Sequence, residues 1–477
     1  MNVVKETSFG KLVLLGLLMI FVTLWLFPLC SGDETRAAGI TLEMFLQEDW
    51  LVPRLNGKPF LEYPPMFCWV SAPFYWLWGA SESVAKLPSA MSGFLTVLLV
   101  YALCRRLHFS EHQAFLSGAI LLTCGYFLLE CRKCRVDSLL TFFIVLSMYA
   151  FVSMREARGM SRLGFFALFV AGLSGGICTK GLFGLVMPGV YAGTFLLATD
   201  ILQCGISWRD YREALLGALC SAVIASLWYL LIWRHGGNEM FHTAFWVNNL
   251  GRFSGGQGDH VEPVWYYLVR LPEFFLPWLP VLACALWMGI RRLRERERPV
   301  EQRVLPFLVL VPILLLSLSA AKRMVYLLPV YPFAAIVSGL YATALYRSLN
   351  GSLRRKLPAG LPRLLFVLLI CILLTADCIL AARFRRRESL GPLFAAAIEQ
   401  ELQGWQLFLV DPRERTEGAS FFYLHRNLPV IESADAKPGA GQCFITSCVP
   451  DNANARRFND RHYLLLGPEP SAAKNGN

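Results

Sequence analysis

The chain has 477 residues, of which 55% are hydrophobic and only 17% are Asp, Glu, Lys or Arg, and its mean hydropathy is +0.47. That composition excludes an ordinary soluble domain of this length and defines a membrane protein. The formal net charge of +11 would suit nucleic acid, but the basic residues are placed as membrane topology places them.

Apolar runs near the roughly 20 residues that cross a bilayer recur at about 10–30, 84–104, 114–130, 136–154, 163–179, 182–199, 214–233, 273–290, 304–320, 324–346 and 363–382. They predict a polytopic all-α membrane region of about 11 to 13 spans over residues 1–382. The first run is long for a secretory h-region and is followed by further spans, so it reads as an uncleaved anchor. With residue 1 in the cytoplasm, alternate loops read "CRRLHF", "MREARGMSRLG", "SWRDYREA", "IRRLRERERPVEQR" and "YRSLNGSLRRKLPAGLPR". Five Arg- or Lys-rich loops on one side predict a cytoplasmic N-terminus. "ECRKCRVDS" breaks that rule, since it puts Arg132, Lys133 and Arg135 outside, and an anionic group or lipid headgroup would account for it.

Residues 31–83 form the first outer loop. It opens with "CSGDETRAAG", in which Asp33, Glu34 and Arg36 stand where the first span should end. The acids either finish a helix in water or do chemistry at headgroup depth, where a desolvated carboxylate aligned by a cation accepts a proton; chemistry alone leaves both readings open. "RAAGITLEMFLQEDW" then has helical apolar spacing, with Glu43, Glu48 and Asp49 at other positions, which predicts an amphipathic interfacial helix. Glu62 and Tyr63 precede a Pro-Pro step that stiffens the backbone.

Further along, Asp137 sits beside the 132–135 cations. Lys180 lies between two spans in "GICTKGLFG", where a lysine needs a carboxylate or an anion. His260 and Glu262 precede Tyr266, Tyr267 and Arg270, and Lys322 with Arg323 ends another span. The topology brings Lys180, His260, Arg270, Lys322 and Arg323 toward the face that holds Asp33, a set of donors suited to phosphate oxygens. A channel or symporter would need polar groups in mid-span, and Asp377 is the exception. Cys131 and Cys134 form an isolated CxxC, and "CFITSC" offers Cys443 and Cys448 as a local disulfide in an oxidising compartment. From 383 the character changes. "WQLFLV", "SFFYL", "QCFIT" and "HYLLLG" alternate with turn residues, predicting strands of a small outer α/β domain over 383–477 whose last ten residues are disordered.

The run from "GDETR" through "LEMFLQEDWLVPRLNGKPFLEYPPMFCWV" to Arg106, followed in order by "CRVDSLLTFF", "TKGLFG", "HVEPVWYYL" and "SAAKRMVYLLPVYP", closely resembles the ArnT-like branch of the membrane glycosyltransferases of GT-C architecture. That branch is similar to lipid A aminoarabinose transferases and, more distantly, to protein O-mannosyltransferases. The resemblance implies the GT-C fold and transfer of a sugar from a polyprenyl-phosphate carrier. The acceptor it implies is lipid A, another envelope lipid or glycan, or a protein, on the periplasmic face of a bacterial inner membrane. It implies Asp33 as the catalytic carboxylate, with Glu34 and Arg36 in the same motif. Asp137 falls on the acid of the third block, and His260 on the histidine before Tyr266 and Tyr267. Glu62 matches an acid that helps organise substrate or a divalent metal, for which Glu62 and His260 are the candidate ligands. Tyr63 stands where the aminoarabinose transferases commonly have Lys, and Ala37 where a tyrosine often follows, so sugar and acceptor are less defined than the reaction. A lipid or ion transporter and a non-catalytic scaffold are the readings from other classes.

Overall fold

The computed structural model describes residues 6–251, 262–348, 360–433, 436–447, 455–459 and 462–468. Among them, eight helices are long and apolar enough to cross a membrane, or nine if a bent pair is one span. The bent pair is α5 (Glu111–Leu122) and α6 (Gly125–Cys131), which meet at 69°. Five of the long helices carry a buried charge, Asp200 on Phe183–Gln203 and, on four others in turn, Lys86, Asp137, Lys180 and Asp377. These four are α4 (Glu82–Arg106), α7 (Val136–Glu156), α8 (Gly159–Lys180) and α16 (Leu361–Arg387), the last running past the predicted boundary at 382. Two shorter apolar helices, Leu279–Arg291 and Val330–Tyr346, fall in the runs expected at 273–290 and 324–346.

The first span does not end as a regular helix. After α1 (Glu6–Gly16) the chain widens into a π turn over Leu17–Phe21, tightens into a 3-10 turn over Leu24–Leu26, and stops before Pro28. This leaves carbonyls without intrahelical partners. The Lys86 amine, on α4 and fully buried, donates to Leu24 O at 3.2 Å and to Phe27 O.

Asp33, Glu34 and Arg36 do not close this span. They form the first turn of α2 (Gly32–Gln47). Ser31 is its N-cap: Glu34 N donates to Ser31 Oγ at 3.3 Å, and Ser31 N to Glu34 Oε2 at 3.1 Å, a reciprocal capping box. Along this helix Glu43 departs from the expected polar face, because it is fully buried. Its Oε1 accepts from Gly57 N at 2.8 Å, holding the turn between β1 (Arg54–Leu55) and β2 (Lys58–Pro59). Asn56 and Gly57 have φ of 50° and 82°, the conformation a two-residue hairpin demands and the reason this sequence is Asn-Gly.

The cations of "ECRKCRVDS" are paired off within the protein. Arg132 makes a bidentate contact with Asp377 of α16, NH1 to Oδ2 at 2.6 Å and NH2 to Oδ1 at 2.7 Å, and Lys133 reaches Glu130 at 2.6 Å. Only Arg135 of the three turns toward the cleft at this end of the bundle.

Past α16 a five-stranded sheet, in the order β4-β3-β5-β7-β6, combines β3 (Gln406–Val410), β4 (Val430–Ile431), β5 (Gln442–Thr446), β6 (Ala455–Phe458) and β7 (His462–Leu466). β3 runs parallel to β4 and β5, while β7 is antiparallel to β5 and β6. Three of the four predicted strand segments are strands. "SFFYL" is the correction: it ends helix α18 (Glu414–Leu424). Its residues 418–422 are buried, some against α17 (Gly391–Leu402) and the sheet and others against α2. Two-sided burial of a short run does not separate strand from helix. Cys443 is a buried free thiol, and Cys448 and residues 469–477 lie outside the described residues.

Because Arg132 and Asp377 are 2% and 9% exposed, losing one partner leaves a buried charge. Asp377→Ala should lower unfolding stability in detergent by about 3–5 kcal/mol, and Arg132→Met combined with Asp377→Leu should recover most of it. Denaturant unfolding of the three proteins checks both.

Candidate active site

α7 begins with Val136, and α8, antiparallel to it, ends with Lys180, so their adjoining termini share one end of the bundle. The N-terminus of α2 and the segment before the 3-10 turn Met324–Leu327 meet them there. These four segments bound an open cleft of about 630 Å³, lined by Arg36, Arg135, Lys180 and Arg323 and by the carboxylates Asp33 and Asp137. Both carboxylates stand in the first turn of a helix, where the backbone dipole favours an anion. Phe60, Tyr63, Ile40 and the Pro64-Pro65 step form much of the apolar wall.

Asp33 is the hub. Its Oδ2 faces Arg323 NH2 at 2.7 Å and Arg135 NH2 at 2.8 Å, and its Oδ1 faces Arg36 NH2 at 3.1 Å. Burial works against its charge, but Arg135, Arg323 and Arg36 outweigh burial and hold the carboxyl down at about 2. Arg135 also reaches Asp137 Oδ2 at 3.3 Å and Glu130 Oε2 at 3.4 Å. Lys180 forms an ion pair with Asp137. Its amine lies 4.9 Å from the Tyr326 ring centre and 5.7 Å from those of Tyr63 and Phe183. Tyr63 is therefore an aromatic wall for a cation in addition to a phenol at the cleft.

The other expected site residues separate. Glu62 contacts Arg36 NH2 at 3.2 Å, just behind Asp33. Glu34 is 1% exposed and bound to backbone donors, including Cys134 N at 3.3 Å; its place is to join the caps of α2 and α7. Tyr267 donates its hydroxyl to Arg323 O at 3.2 Å and so holds the segment that carries this arginine, while Tyr266 packs edge-on against Tyr267. Arg270 is exposed and pairs with Glu273 at 2.7 Å. Lys322 turns away from the cleft to donate to Glu262 O at 2.7 Å. His260 lies outside the described residues. Glu62, the other candidate metal ligand, has a guanidinium against its carboxylate, and among the described residues no group of three His, Cys, Asp or Glu is placed to hold a metal.

Glu130, Lys86, Tyr326 and Glu414 were not among the expected site residues. The Ser31-x-x-Glu34 spacing was a signal in the sequence for a new helix starting at Gly32, and it separates Glu34 from Asp33. Glu414 has no such local signal, since its partner is 378 residues away.

A bundle of apolar helices that gathers Arg36, Arg135, Lys180 and Arg323 with Asp33 and Asp137 at one end defines a helical membrane protein with a charged cleft at the end of its bundle. Residues 11–242 match the family model described as dolichyl-phosphate-mannose-protein mannosyltransferase, and residues 245–403 that of the Alg9-like mannosyltransferase family. An undecaprenyl phosphate-alpha-4-amino-4-deoxy-L-arabinose arabinosyl transferase of Yersinia enterocolitica is 28% identical over 336 residues, 69% of this chain and 58% of the relative. One from Sodalis glossinidius is 30% identical over 376 residues, 76% of this chain and 64% of the relative. This chain thus spans about three-fifths of the length of these curated relatives. The crystal structure of ArnT from Cupriavidus metallidurans bound to undecaprenyl phosphate superposes with a TM-score of 0.76 at 21% identity, covering 96% of this chain and 99% of that one. The chain thus has the fold of ArnT and is similar in sequence to undecaprenyl-phosphate aminoarabinose transferases and to the protein mannosyltransferase family models.

The depressed Asp33 pKa has a stability consequence. Its folded value, about 2 against an ordinary 3.8, means the ion pairs contribute fully above about pH 4 and are lost as pH falls toward 2. The difference in thermal midpoint between wild type and Asp33→Asn should therefore be constant above that window and shrink within it, as a pH series of melts in detergent would register.

Proposed function

We propose that the protein transfers a sugar from a polyprenyl-phosphate carrier to lipid A, or to another envelope lipid or glycan, at the periplasmic face of a bacterial inner membrane. The observation that carries this reading is the convergence of Arg36, Arg135 and Arg323 on Asp33, beside the Lys180–Asp137 pair, in one cleft. Arg135, Lys180 and Arg323 line the cleft with donors that a phosphodiester can share with the carboxylates, and a polyprenyl chain needs the adjoining bilayer. The names of the relatives support the same donor class, with 4-amino-4-deoxy-L-arabinose as their sugar. Tyr63 in the cleft wall leaves the sugar of this chain as its own question.

In the proposed mechanism Arg135, Arg323 and Lys180 bind the phosphate and stabilise its charge as the bond to the anomeric carbon breaks. Asp33 takes the proton of the acceptor. A carboxylate held near 2 is a weak base, so phosphate binding has a second effect: guanidiniums drawn to the phosphate release Asp33 and raise its proton affinity. With Asp33 as base and Asp137 occupied by Lys180 and Arg135, the acceptor displaces the phosphate directly, with inversion.

The eight long helices, the bent α5–α6 pair and the two shorter apolar helices support about eleven crossings, with the N-terminus cytoplasmic. On this topology the cleft and the sheet layer are periplasmic, and the chain divides into a membrane domain over 1–382 and an outer α/β domain over 383–477.

Purified protein given undecaprenyl-phosphate sugars and lipid A should form glycosylated lipid A, read by mass spectrometry. Asp33→Asn should cut kcat at least about 100-fold while binding of undecaprenyl phosphate persists; unchanged transfer would remove Asp33 from the chemistry. Retention at the anomeric carbon of the product would rule out direct displacement. The acid limb of kcat, which reports the donor complex, should lie at higher pH than that of kcat/KM, which reports the free enzyme.

A further inference from the structure

The sheet and α18 lie beyond residue 403, where the second family-model match ends, yet α18 reaches Arg36, which lines the cleft. α18 crosses α2 at a pair of glycines. A Cβ on Gly39 would stand 2.3 Å from the Gly418 carbonyl oxygen, and one on Gly418 would stand 2.6 Å from Arg36 Cα. The backbones touch because neither residue has a side chain. Thr35 Oγ1 donates to Arg415 O at 2.9 Å, fastening the first turn of α18 to the first turn of α2. The contact brings Glu414 within an ion pair of Arg36.

Arg36 is held on every side. Its NH2 serves Asp33 at 3.1 Å and Glu62 at 3.2 Å, its NH1 serves Glu414, and the Phe60 ring lies 5.2 Å from its central carbon. A guanidinium is a rigid planar fork, so fixing one terminal nitrogen fixes where the other points. An exposed ion pair adds little to stability, and Glu414 is 54% exposed. The Arg36 side chain is only 14% exposed, so Glu414 matters through the orientation of that guanidinium.

We propose that Glu414 is a positioning residue for the transfer reaction: from the C-terminal layer it clamps Arg36, and through Arg36 it sets the Asp33 carboxylate toward the reacting atoms. The sheet layer is on this account part of the active-site framework. The inference rests on the proposed transferase function, so its test has an arm that needs no turnover.

The full-length protein in lipid nanodiscs is assayed with undecaprenyl-phosphate sugar and lipid A, and the structure of the Glu414→Gln protein is determined in parallel. Glu414→Gln is expected to lower kcat about tenfold, the scale of a small misplacement of a reacting group, with the donor KM and the stoichiometry of undecaprenyl phosphate binding within twofold of wild type. Glu414→Asp, which keeps the charge, should recover most of the rate. Glu401→Gln, which breaks an exposed pair with Arg426 elsewhere on the same layer, should leave both constants unchanged. In the Glu414→Gln structure the Arg36 guanidinium should have left hydrogen-bond reach of Asp33 Oδ1. A kcat within twofold of wild type, a loss confined to the binding stoichiometry, or an unmoved Arg36 would each overturn the proposal. If wild type itself transfers no sugar, the functional reading falls, and the position of Arg36 alone decides the clamp.

Discussion

Charges at membrane depth have to be matched, because an isolated ion there is costly and hydrocarbon offers it no partner. Much of the architecture around the cleft follows from that constraint. Arg132 meets Asp377, Lys133 meets Glu130, Lys180 meets Asp137, and Lys86 takes the carbonyls where the first helix gives out. These contacts tie α7 to α8, the end of α6 to α16, and α4 to the first span. At the cleft the matching is shared: Arg36, Arg135 and Arg323 meet on Asp33, while Arg36 also pairs with Glu62 and Glu414 and Arg135 with Asp137 and Glu130.

On the proposed function, that sharing is the source of the site's chemistry. A phosphate arriving among Arg135, Arg323 and Lys180 would compete with Asp33 for the same arginines, which then hold the carboxylate less strongly as a weak base. On that proposal binding and activation are one electrostatic event. The arginines around Asp33 keep that carboxylate ionised, and ion pairs fix Asp33 and Asp137 in the first turns of α2 and α7. The Arg36 clamp extends this logic to the C-terminal layer, whose helix α18 lies on α2 at the Gly39–Gly418 crossing.

Much of this was legible in the sequence for a physical reason: hydrophobic runs, loop charge and turn residues are local properties. The spans expected at 84–104, 136–154, 163–179 and 182–199 correspond to helices Glu82–Arg106, Val136–Glu156, Gly159–Lys180 and Phe183–Gln203. Asp33, Arg36, Tyr63, Arg135, Asp137, Lys180 and Arg323 were all singled out and all line one cleft. Where the reading strayed, the missing information was non-local. "SFFYL" is apolar enough for a buried strand, and as the end of a helix it is buried against α2 on one side and the sheet layer on the other, a two-sided burial that reads the same for either element. Glu43 is polar by type and buried by the hairpin that folds over it.

By itself, then, the sequence determined the membrane class, the succession of spans, the Asn-Gly hairpin and the set of charged side chains available for chemistry. Each of these depends on residues within a turn or a span of one another. Only the tertiary structure decided which charges are spent on pairing and which face the cleft. Arg132 and Arg135 lie three residues apart, yet one is buried against Asp377, 245 positions away, and the other reaches Asp33. Tertiary packing likewise decided that a glutamate near the end of the chain closes the clamp on Arg36, since partnership between distant charges follows from how the helices pack and leaves no local pattern to read.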